Sequence, residues 1–199
     1  MFQLKQLKPT RFGFGEGLQL LGRKYPEIVV LGADITSSVS ADYFKNKFPD
    51  RFFSLGIAEQ NIAGVAAGIA LAGKIPFFST YGVFAALRTT DQLRVSVCYN
   101  NLNVKIGGAH AGISVGPDGA THQALEDIAI MRALPNMTVL SPCDATQTYK
   151  AVEASVNHID GPVYIRFGRE AVADYTSKEL EFIPGKGQVF KSGNDVAII

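Results

Sequence analysis

Short apolar runs alternate with helix-length segments along most of the chain. Apolar positions between the runs recur with the 3.6-residue period of a helix, most clearly in residues 58–72. Alternating strands and helices require crossover connections, so we predict an α/β domain with a mostly parallel sheet covered by helices on both faces. The predicted strands are residues 28–31, 51–55, 75–80, 104–107, 137–140 and 163–167, and the predicted helices are residues 58–72, 83–97, 121–134 and 144–156.

The same pattern predicts two helix starts and two domain boundaries. Thr121 and Asp144 stand at the start of helical segments, and their side-chain oxygens are suited to cap them. The pattern changes after Phe167, so we predict one domain over residues 1–169 and a linker over residues 170–186. Residues 187–199 resemble two short strands around a turn at 192–194, which indicates the first strands of a further domain that is cut off.

Composition and charge exclude several classes of protein. The chain has 199 residues and a net charge of +1 with no block of like charges, so nothing suggests binding to nucleic acid or to an anionic membrane surface. No apolar run approaches the ~18 residues of a membrane span, and the N-terminus has no secretory signal. Cys98 and Cys143 lack metal-ligand spacing. We therefore predict a cytoplasmic protein without a metal site of its own.

Two groups of residues follow predicted strands, where ligands bind in parallel sheets. Glu59 falls in the first turn of a helix, where the macrodipole favours a carboxylate for purely structural reasons. Tyr81, Phe84 and Leu87 follow the strand at 75–80 and share one helical face. That face is either ordinary core or a platform that stacks a flat heterocycle.

The densest glycine region of the chain follows the strand at 104–107. Ordering a glycine-rich loop is costly in backbone entropy. The presence of so many glycines is most easily explained by backbone that approaches a ligand closely. The loop holds His110, Asp118 and His122, which are as consistent with a site as with solvated or capping residues. The phosphate-loop pattern G-x-x-x-x-G-K-[ST] is absent.

Three arginines could hold an anionic substrate: Arg11, Arg166 and Arg169. Arg166 follows an apolar strand at its carboxyl end, where ligand loops gather. A planar guanidinium suits bidentate phosphate binding. An arginine at the end of a strand also commonly forms a surface ion pair. The sequence is consistent with both interpretations of Arg166.

Taken together, these motifs resemble one family. The segments GADIT, GIAEQN, STYGVFAALR with DQLR, GAHAGISVGPDGATHQALEDIA, LPNM and GPVYIRFGR are similar to the pyrimidine-binding domain of transketolases. The similarity runs from about residue 11 to residue 169 and is strongest to the C-terminal section of transketolases that are encoded as two chains. It implies a thiamine-diphosphate-binding fold and the transfer of a two-carbon ketol unit between sugar phosphates.

The resemblance also implies roles for single residues. Glu59 corresponds to the glutamate that hydrogen-bonds N1′ of the aminopyrimidine and activates the coenzyme, and His110 and His122 correspond to residues that steer proton transfers. The remaining implied contacts are Tyr81, Phe84 and Leu87 at the pyrimidine, Asp34 and Ile35 near the thiazolium across a dimer interface, Asp118 with His110 and His122 at sugar hydroxyls, and Arg11, Ser38, His110 and Arg166 at the sugar phosphate.

The sequence departs from the family pattern in two respects: one motif is missing, and the third domain of the family is represented only by its first strands. The motif GDG with a later Asn, which holds the diphosphate through a divalent metal ion, is missing. We therefore expect an N-terminal subunit that binds the diphosphate through Mg²⁺ or Ca²⁺, together with a dimer of this chain. Residues 187–199 would begin the third domain of the family. Because Met1 lies only ten residues before Arg11, we also expect a split gene.

Other readings remain. A deoxyxylulose-phosphate synthase carries similar motifs but normally keeps both coenzyme-binding domains on one chain. The β subunit of a 2-oxoacid dehydrogenase is a separate chain, but the GPDGATHQ loop is not expected in it. A non-catalytic scaffold on the same fold has no physical need for Glu59 and both loop histidines.

Overall fold

The structure, a computed structural model, describes residues 7–196 and contains a six-stranded parallel sheet. The strands in this part of the chain are β1 (Leu7–Pro9), β2 (Ile28–Gly32), β3 (Phe52–Ser54), β4 (Ile75–Tyr81), β5 (Lys105–Ala109), β6 (Thr138–Leu140), β7 (Val163–Arg166) and β8 (Ala171–Ala173). The six-stranded sheet consists of β2 to β7. The order across the sheet is β3-β2-β4-β5-β7-β6, and every pairing within it is parallel. The predicted fold class is confirmed.

Helices cover both faces of the sheet. They are α1 (Thr10–Lys24), α2 (Asp42–Lys47), α3 (Glu59–Leu71), α4 (Gly82–Leu87), α5 (Thr90–Gln92), α6 (Asp127–Ala133) and α7 (Ala145–Asn157). Successive side chains of β4 point to opposite faces. Phe77 therefore packs in a core with α1, α2 and α7, whereas Phe78 packs in a second core with α3, α4 and α6. Among the helices described, none has the length and apolarity that a membrane crossing requires.

The sequence pattern does not predict α1, whose glycines resemble turn signals. The structure gives these glycines a packing role, because α1 lies tightly against α7. A Cβ atom on Gly13 would lie 1.9 Å from the carbonyl oxygen of Ala145, and one on Gly17 would lie 2.7 Å from Cβ of Val152. The close approach of the two helices requires glycine at both positions.

The prediction of one continuous helix over residues 83–97 is wrong. The helix α4 ends at Leu87, and the chain continues through the short α5 into a π-helix at Leu93–Cys98. Hydroxyl groups of Thr89 and Thr90 donate to the carbonyl oxygens of Ala85 and Ala86. Such side-chain bonds compete with the helix ladder and bend helices.

One of the two predicted helix caps is confirmed. The side chain of Asp144 accepts a hydrogen bond from the backbone N–H of Gln147 at 2.7 Å, at the start of α7. The prediction for Thr121 is wrong, because α6 begins only at Asp127 and Thr121 lies in a 3₁₀ turn, Ala120–His122. The intervening residues follow the irregular glycine-rich loop instead of a helical path.

The segment predicted as a linker contains a short strand. Residues 171–173 form β8, which pairs antiparallel with β1 in a separate two-stranded sheet. In the described part of the C-terminal segment, residues 187–196 form no strand, and the end of the second strand expected there, residues 197–199, lies outside the described residues. An isolated two-stranded hairpin is only marginally stable without further strands to pack on. The assignment of residues 187–199 to a further domain stays a prediction.

Candidate active site

The candidate site lies where neighbouring parallel strands end. The strands β2, β4, β5 and β7 all end at one edge of the sheet, and their following loops gather there with the start of α3. A crevice beyond the carboxyl ends of the strands is the usual ligand site of such sheets. The residues implied by the resemblance lie in or beside these loops, at the starts of α1 and α3, or in α4, which directly follows β4.

Glu59 is the first residue of α3 and is only 4% exposed. The hydroxyl of Thr80, on the neighbouring β4, donates to its Oε1 at 3.3 Å. Nη1 of Arg88 lies 3.2 Å from both carboxylate oxygens. A buried carboxylate is costly unless it is paired and hydrogen-bonded, and these two partners provide that compensation.

Arg88 is a site residue that the sequence analysis does not identify. Its guanidinium lies 3.8 Å from the ring centroid of Phe84, one helical turn earlier, so it covers an aromatic face as well as pairing with Glu59. The spacing of four residues from Phe84 is the signal that could have indicated it. Leu87, by contrast, is 55% exposed at the end of α4.

Four aromatic rings from three different segments meet in this crevice. Tyr81 stacks on the imidazole of His110 with ring centroids 4.5 Å apart, and it lies 6.0 Å from Phe84. The ring of His122 meets Tyr81 at 5.8 Å and Phe84 at 5.2 Å, in both cases edge-on. The structure thus brings Tyr81 and Phe84 together with His110 and His122, which follow much later in the sequence.

His110 is held in a left-handed backbone conformation, with φ of 52°, and is 3% exposed. Its Nε2 lies 3.1 Å from the carbonyl oxygen of Ser38. Burial lowers the pKa of His110 from 6.5 to about 4; the Ser38 contact opposes this, and the charges of Arg11 and Arg169 add to it. The imidazole is therefore neutral at neutral pH. A carbonyl can only accept, so Nε2 carries the proton and Nδ1 keeps a lone pair.

The lone pair on Nδ1 of His110 is an acceptor without a donor. This atom is buried and has no hydrogen-bond partner within the described residues. Buried polar atoms are nearly always paired, and an exception at a crevice indicates a group that a ligand satisfies. The neighbouring His122 has its Nδ1 2.9 Å from the hydroxyl of Thr121, which orients that ring.

Two arginines and an aspartate form a charged group near His110. Arg11 donates from Nη1 to the backbone carbonyl of Arg169 at 2.7 Å, and Nη1 of Arg169 lies 3.6 Å from Oδ2 of Asp118. Arg169 also donates to the carbonyl of Val115. The loop approaches Arg169 so closely that a Cβ atom on Gly116, whose φ is 83°, would lie 2.7 Å from Nη1.

Arg166 occupies a different position from Arg169. Its Nε donates to Oδ2 of the buried Asp127 at 2.9 Å, and the hydroxyl of Tyr164 donates to the same oxygen at 2.9 Å. This is the ion-pair alternative that the sequence leaves open. The structure places Arg169, which the resemblance passes over, beside Arg11.

The loop after β2 carries the remaining implied residues. Asp34 is exposed and has a left-handed backbone with φ of 66°, and Ile35 is partly buried beside it. Non-glycine residues in this conformation are uncommon and cluster at functional sites. Ser38 contributes its carbonyl oxygen to His110, which links this loop to the ring cluster.

We expect the state of His110 to appear in the pH dependence of stability. Its folded pKa of about 4 lies below the ordinary value of 6.5, so the unfolded chain binds the proton more tightly. The stability due to the neutral ring is full above pH ~6.5 and is lost as the pH falls towards 4. Urea unfolding of the wild type and of His110→Asn at several pH values measures this, because asparagine tolerates the left-handed backbone.

The matched control for this titration is His158→Asn, at an exposed position on the far end of α7. The control should keep the pH dependence of the wild type between pH 6.5 and 4, and His110→Asn should flatten it. NMR of the His110 ring should show no titration until the pH is well below 6. A His110 signal that titrates near 6.5 would contradict the assignment of a neutral buried ring.

Comparison with known proteins identifies the domain. Residues 7–174 match the family model described as "Transketolase, pyrimidine binding domain". The solved structure "Split gene transketolase, inactive beta4 tetramer" superimposes with a TM-score of 0.85 at 50% identity, over 94% of this chain and 60% of that one. This similarity matches the resemblance drawn from the motifs.

Curated relatives agree with the family model. The "Putative transketolase C-terminal section" of Methanocaldococcus jannaschii is 47% identical over 96% of this chain and 61% of its own length. A "6-deoxy-6-sulfo-D-fructose transketolase subunit" of Clostridium sp. is 42% identical over 89% of this chain and 55% of its own length. The chain thus spans 55–61% of the length of these relatives. Since the family model covers most of the described residues, the chain belongs to the transketolase family and consists largely of its pyrimidine-binding domain.

Proposed function

We propose that this chain is the pyrimidine-binding subunit of a thiamine-diphosphate-dependent transketolase. The enzyme transfers a two-carbon ketol unit from a ketose phosphate to an aldose phosphate. The observation that carries this proposal is the buried carboxylate of Glu59 next to a cluster of aromatic rings at the strand ends. Neither a packed core nor a solvated helix start has a need for this combination.

The residues in the crevice fit an aminopyrimidine. The carboxylate of Glu59 is a suitable partner for the ring nitrogen N1′, and Tyr81 and Phe84 offer faces on which the ring can stack. Asp34 and Ile35, on the loop after β2, would lie near the thiazolium. When bound, thiamine diphosphate supplies the nucleophilic carbon and the electron sink that break the bond next to a ketone carbonyl.

With the coenzyme bound, the carboxyl group of Glu59 would share a proton with N1′ and would thereby control the protonation of the pyrimidine. The contact requires a carboxyl group within hydrogen-bond distance of the ring nitrogen, and the low exposure of Glu59 keeps water from competing for it. Thr80 fixes one carboxylate oxygen from β4. Arg88 must leave at least one carboxylate oxygen accessible when the pyrimidine binds, because its Nη1 bridges both oxygens here.

The two histidines face the space next to this crevice. Neutral His110 offers the unpaired Nδ1 as an acceptor for a sugar hydroxyl, and it can hold a proton there for a transfer step. His122 lies against Tyr81 and Phe84 and is oriented by Thr121. Both histidines and Asp118 therefore contact hydroxyl groups of the substrate in this proposal.

Arg11 and Arg169 bind the phosphate of the sugar. The positive charges of both guanidinium groups add to the lowering of the pKa of His110, which supports a role for them in binding an anion beside that ring. The resemblance also places His110 and Ser38 at the phosphate, but the Nε2–H of neutral His110 is donated to the Ser38 carbonyl, so in this proposal the two arginines supply the charge and the donors that bind the anion. Arg166, the arginine named by the resemblance, is paired through its Nε with the buried Asp127. Arg169, by contrast, lies beside Arg11 and pairs more loosely with the more exposed Asp118, so we give the primary role to Arg169.

A second chain completes the coenzyme site in this proposal. Binding the diphosphate requires a divalent cation such as Mg²⁺ or Ca²⁺ with several oxygen ligands. Within residues 7–196, no group of three His, Cys, Asp or Glu side chains is placed to hold a metal ion. Relatives named as a subunit and as a C-terminal section support an N-terminal partner subunit. In this proposal the chain also forms a dimer and acts in the cytoplasm.

We expect Glu59→Gln to abolish turnover without unfolding the domain. The enzyme assembled with its partner, thiamine diphosphate and Mg²⁺ is assayed for ketol transfer from xylulose 5-phosphate to ribose 5-phosphate. Loss of proton control at N1′ should lower the rate by at least ~100-fold. The control is Glu181→Gln at an exposed position. A Glu59→Gln enzyme with normal rate, or a wild type that uses pyruvate in place of the ketose donor, contradicts the proposal.

Arg169→Ala and Arg166→Ala form a matched pair that tests the phosphate site. Arg169→Ala should lower kcat/KM for ribose 5-phosphate by roughly 10- to 150-fold, because a charge-assisted contact is lost, and should hardly affect the unphosphorylated acceptor glycolaldehyde. Arg166→Ala should affect both acceptors alike, because it removes the charged partner of the buried Asp127 and leaves only the hydroxyl of Tyr164. A selective loss in Arg166→Ala with none in Arg169→Ala would restore the assignment that the resemblance implies.

A further inference from the structure

A single buried hydroxyl joins the start of α1 to the loop after β7. Oγ1 of Thr10 accepts a hydrogen bond from the backbone N–H of Gly168 at 2.8 Å and donates to the carbonyl oxygen of Gly168 at 3.1 Å. Thr10 is 5% exposed. The two contacts use both the donor and the acceptor capacity of one hydroxyl on one backbone residue.

The two residues joined in this way each precede an arginine of the anion site. Arg11 follows Thr10, Arg169 follows Gly168, and Nη1 of Arg11 donates to the backbone carbonyl of Arg169 at 2.7 Å. The backbone positions from which both guanidinium groups extend are therefore fixed relative to each other. Among the hydrogen bonds described, only two side chains join residues 10–11 to residues 168–169. Without the hydroxyl of Thr10, the contact from Arg11 would be the remaining one.

The chain beyond the loop is anchored independently. Strand β8 pairs with β1, with Pro9 opposite Ala171. The buried Asp144 then accepts hydrogen bonds from the backbone N–H and the hydroxyl of Thr176, at 2.7 and 2.6 Å. Thr176 matches Thr10 in residue type and burial, but its hydroxyl donates to a carboxylate and lies farther along the chain, in the segment after β8.

We propose that Thr10 is a positioning residue for the anion site: its hydroxyl sets the separation of the Arg11 and Arg169 guanidinium groups that bind the substrate phosphate. The proposal rests on the function proposed above. Thr10 does not touch the substrate itself. Charge-assisted contacts to a phosphate depend on geometry held within about 0.5 Å, and a hydroxyl that bonds both polar groups of one residue provides that constraint.

Thr10→Val tests the proposal, because valine keeps the branched shape and removes the hydroxyl. In the assembled enzyme, we expect KM for ribose 5-phosphate and the inhibition constant of inorganic phosphate to rise about tenfold. The value of kcat, and kcat/KM for glycolaldehyde, should stay unchanged. Thr10→Ser restores the hydroxyl and should return both phosphate-dependent constants to within about twofold of the wild type.

The matched control is Thr176→Val, which removes a hydroxyl of similar burial from the anchored segment. It should lower the unfolding midpoint as Thr10→Val does and leave the preference for the phosphorylated acceptor unchanged. Equal losses for both acceptors in Thr10→Val, or a selective loss in Thr176→Val, overturn the proposal. If Thr10→Val does not fold, Thr10→Ala takes its place with the same expected outcome.

The same experiment separates this inference from the proposed function. If the wild type transfers no ketol unit, the proposed function fails, and calorimetric titration with inorganic phosphate still tests the positioning role. Weaker phosphate binding in Thr10→Val than in Thr176→Val then supports it. Equal binding of phosphate by both variants and the wild type contradicts it.

Discussion

The burial of one carboxylate is the constraint on which the candidate site depends. Glu59 can begin α3 in a position shielded from water only because Thr80 and Arg88 compensate its charge. Thr80 comes from the neighbouring strand of the parallel sheet, so the register of β3, β2 and β4 sets the location of the carboxylate. The aromatic cluster and the phosphate-binding region then follow from strands that end at the same edge.

The large elements of the fold could be predicted because they repeat a simple pattern. All six strands of the parallel sheet correspond to the apolar runs, and Asp144 caps α7 as its side chain suggests. The helix α1 could not be predicted, because glycines such as Gly13 resemble turn signals until the surface of α7 is known. The end of α4 at Leu87 could not be predicted either, because it depends on hydrogen bonds from side chains to the backbone within the helix.

The sequence predicts the site residues that stand in local motifs. It does not predict those whose role depends on a partner far away in the sequence. Glu59, Tyr81, His110 and His122 stand in recognisable segments, and the structure brings the three rings together. Arg88 pairs with Glu59 across the crevice, and this pairing has no signal in the sequence beyond the spacing of four residues between Arg88 and Phe84. Contacts between residues that are more than a hundred positions apart, such as Arg11 with the backbone of Arg169, leave no local signature in the sequence.

Division of the coenzyme site between two chains is the central claim, and calorimetric titration tests it most directly. The chain is titrated with thiamine diphosphate and Mg²⁺, first alone and then with the N-terminal subunit present. Stacking on Tyr81 and one hydrogen bond between Glu59 and N1′ would contribute a few kcal/mol, which association entropy can cancel. We therefore expect no binding to the chain alone and clear binding when the partner is added. Micromolar affinity of the chain alone would contradict the claim.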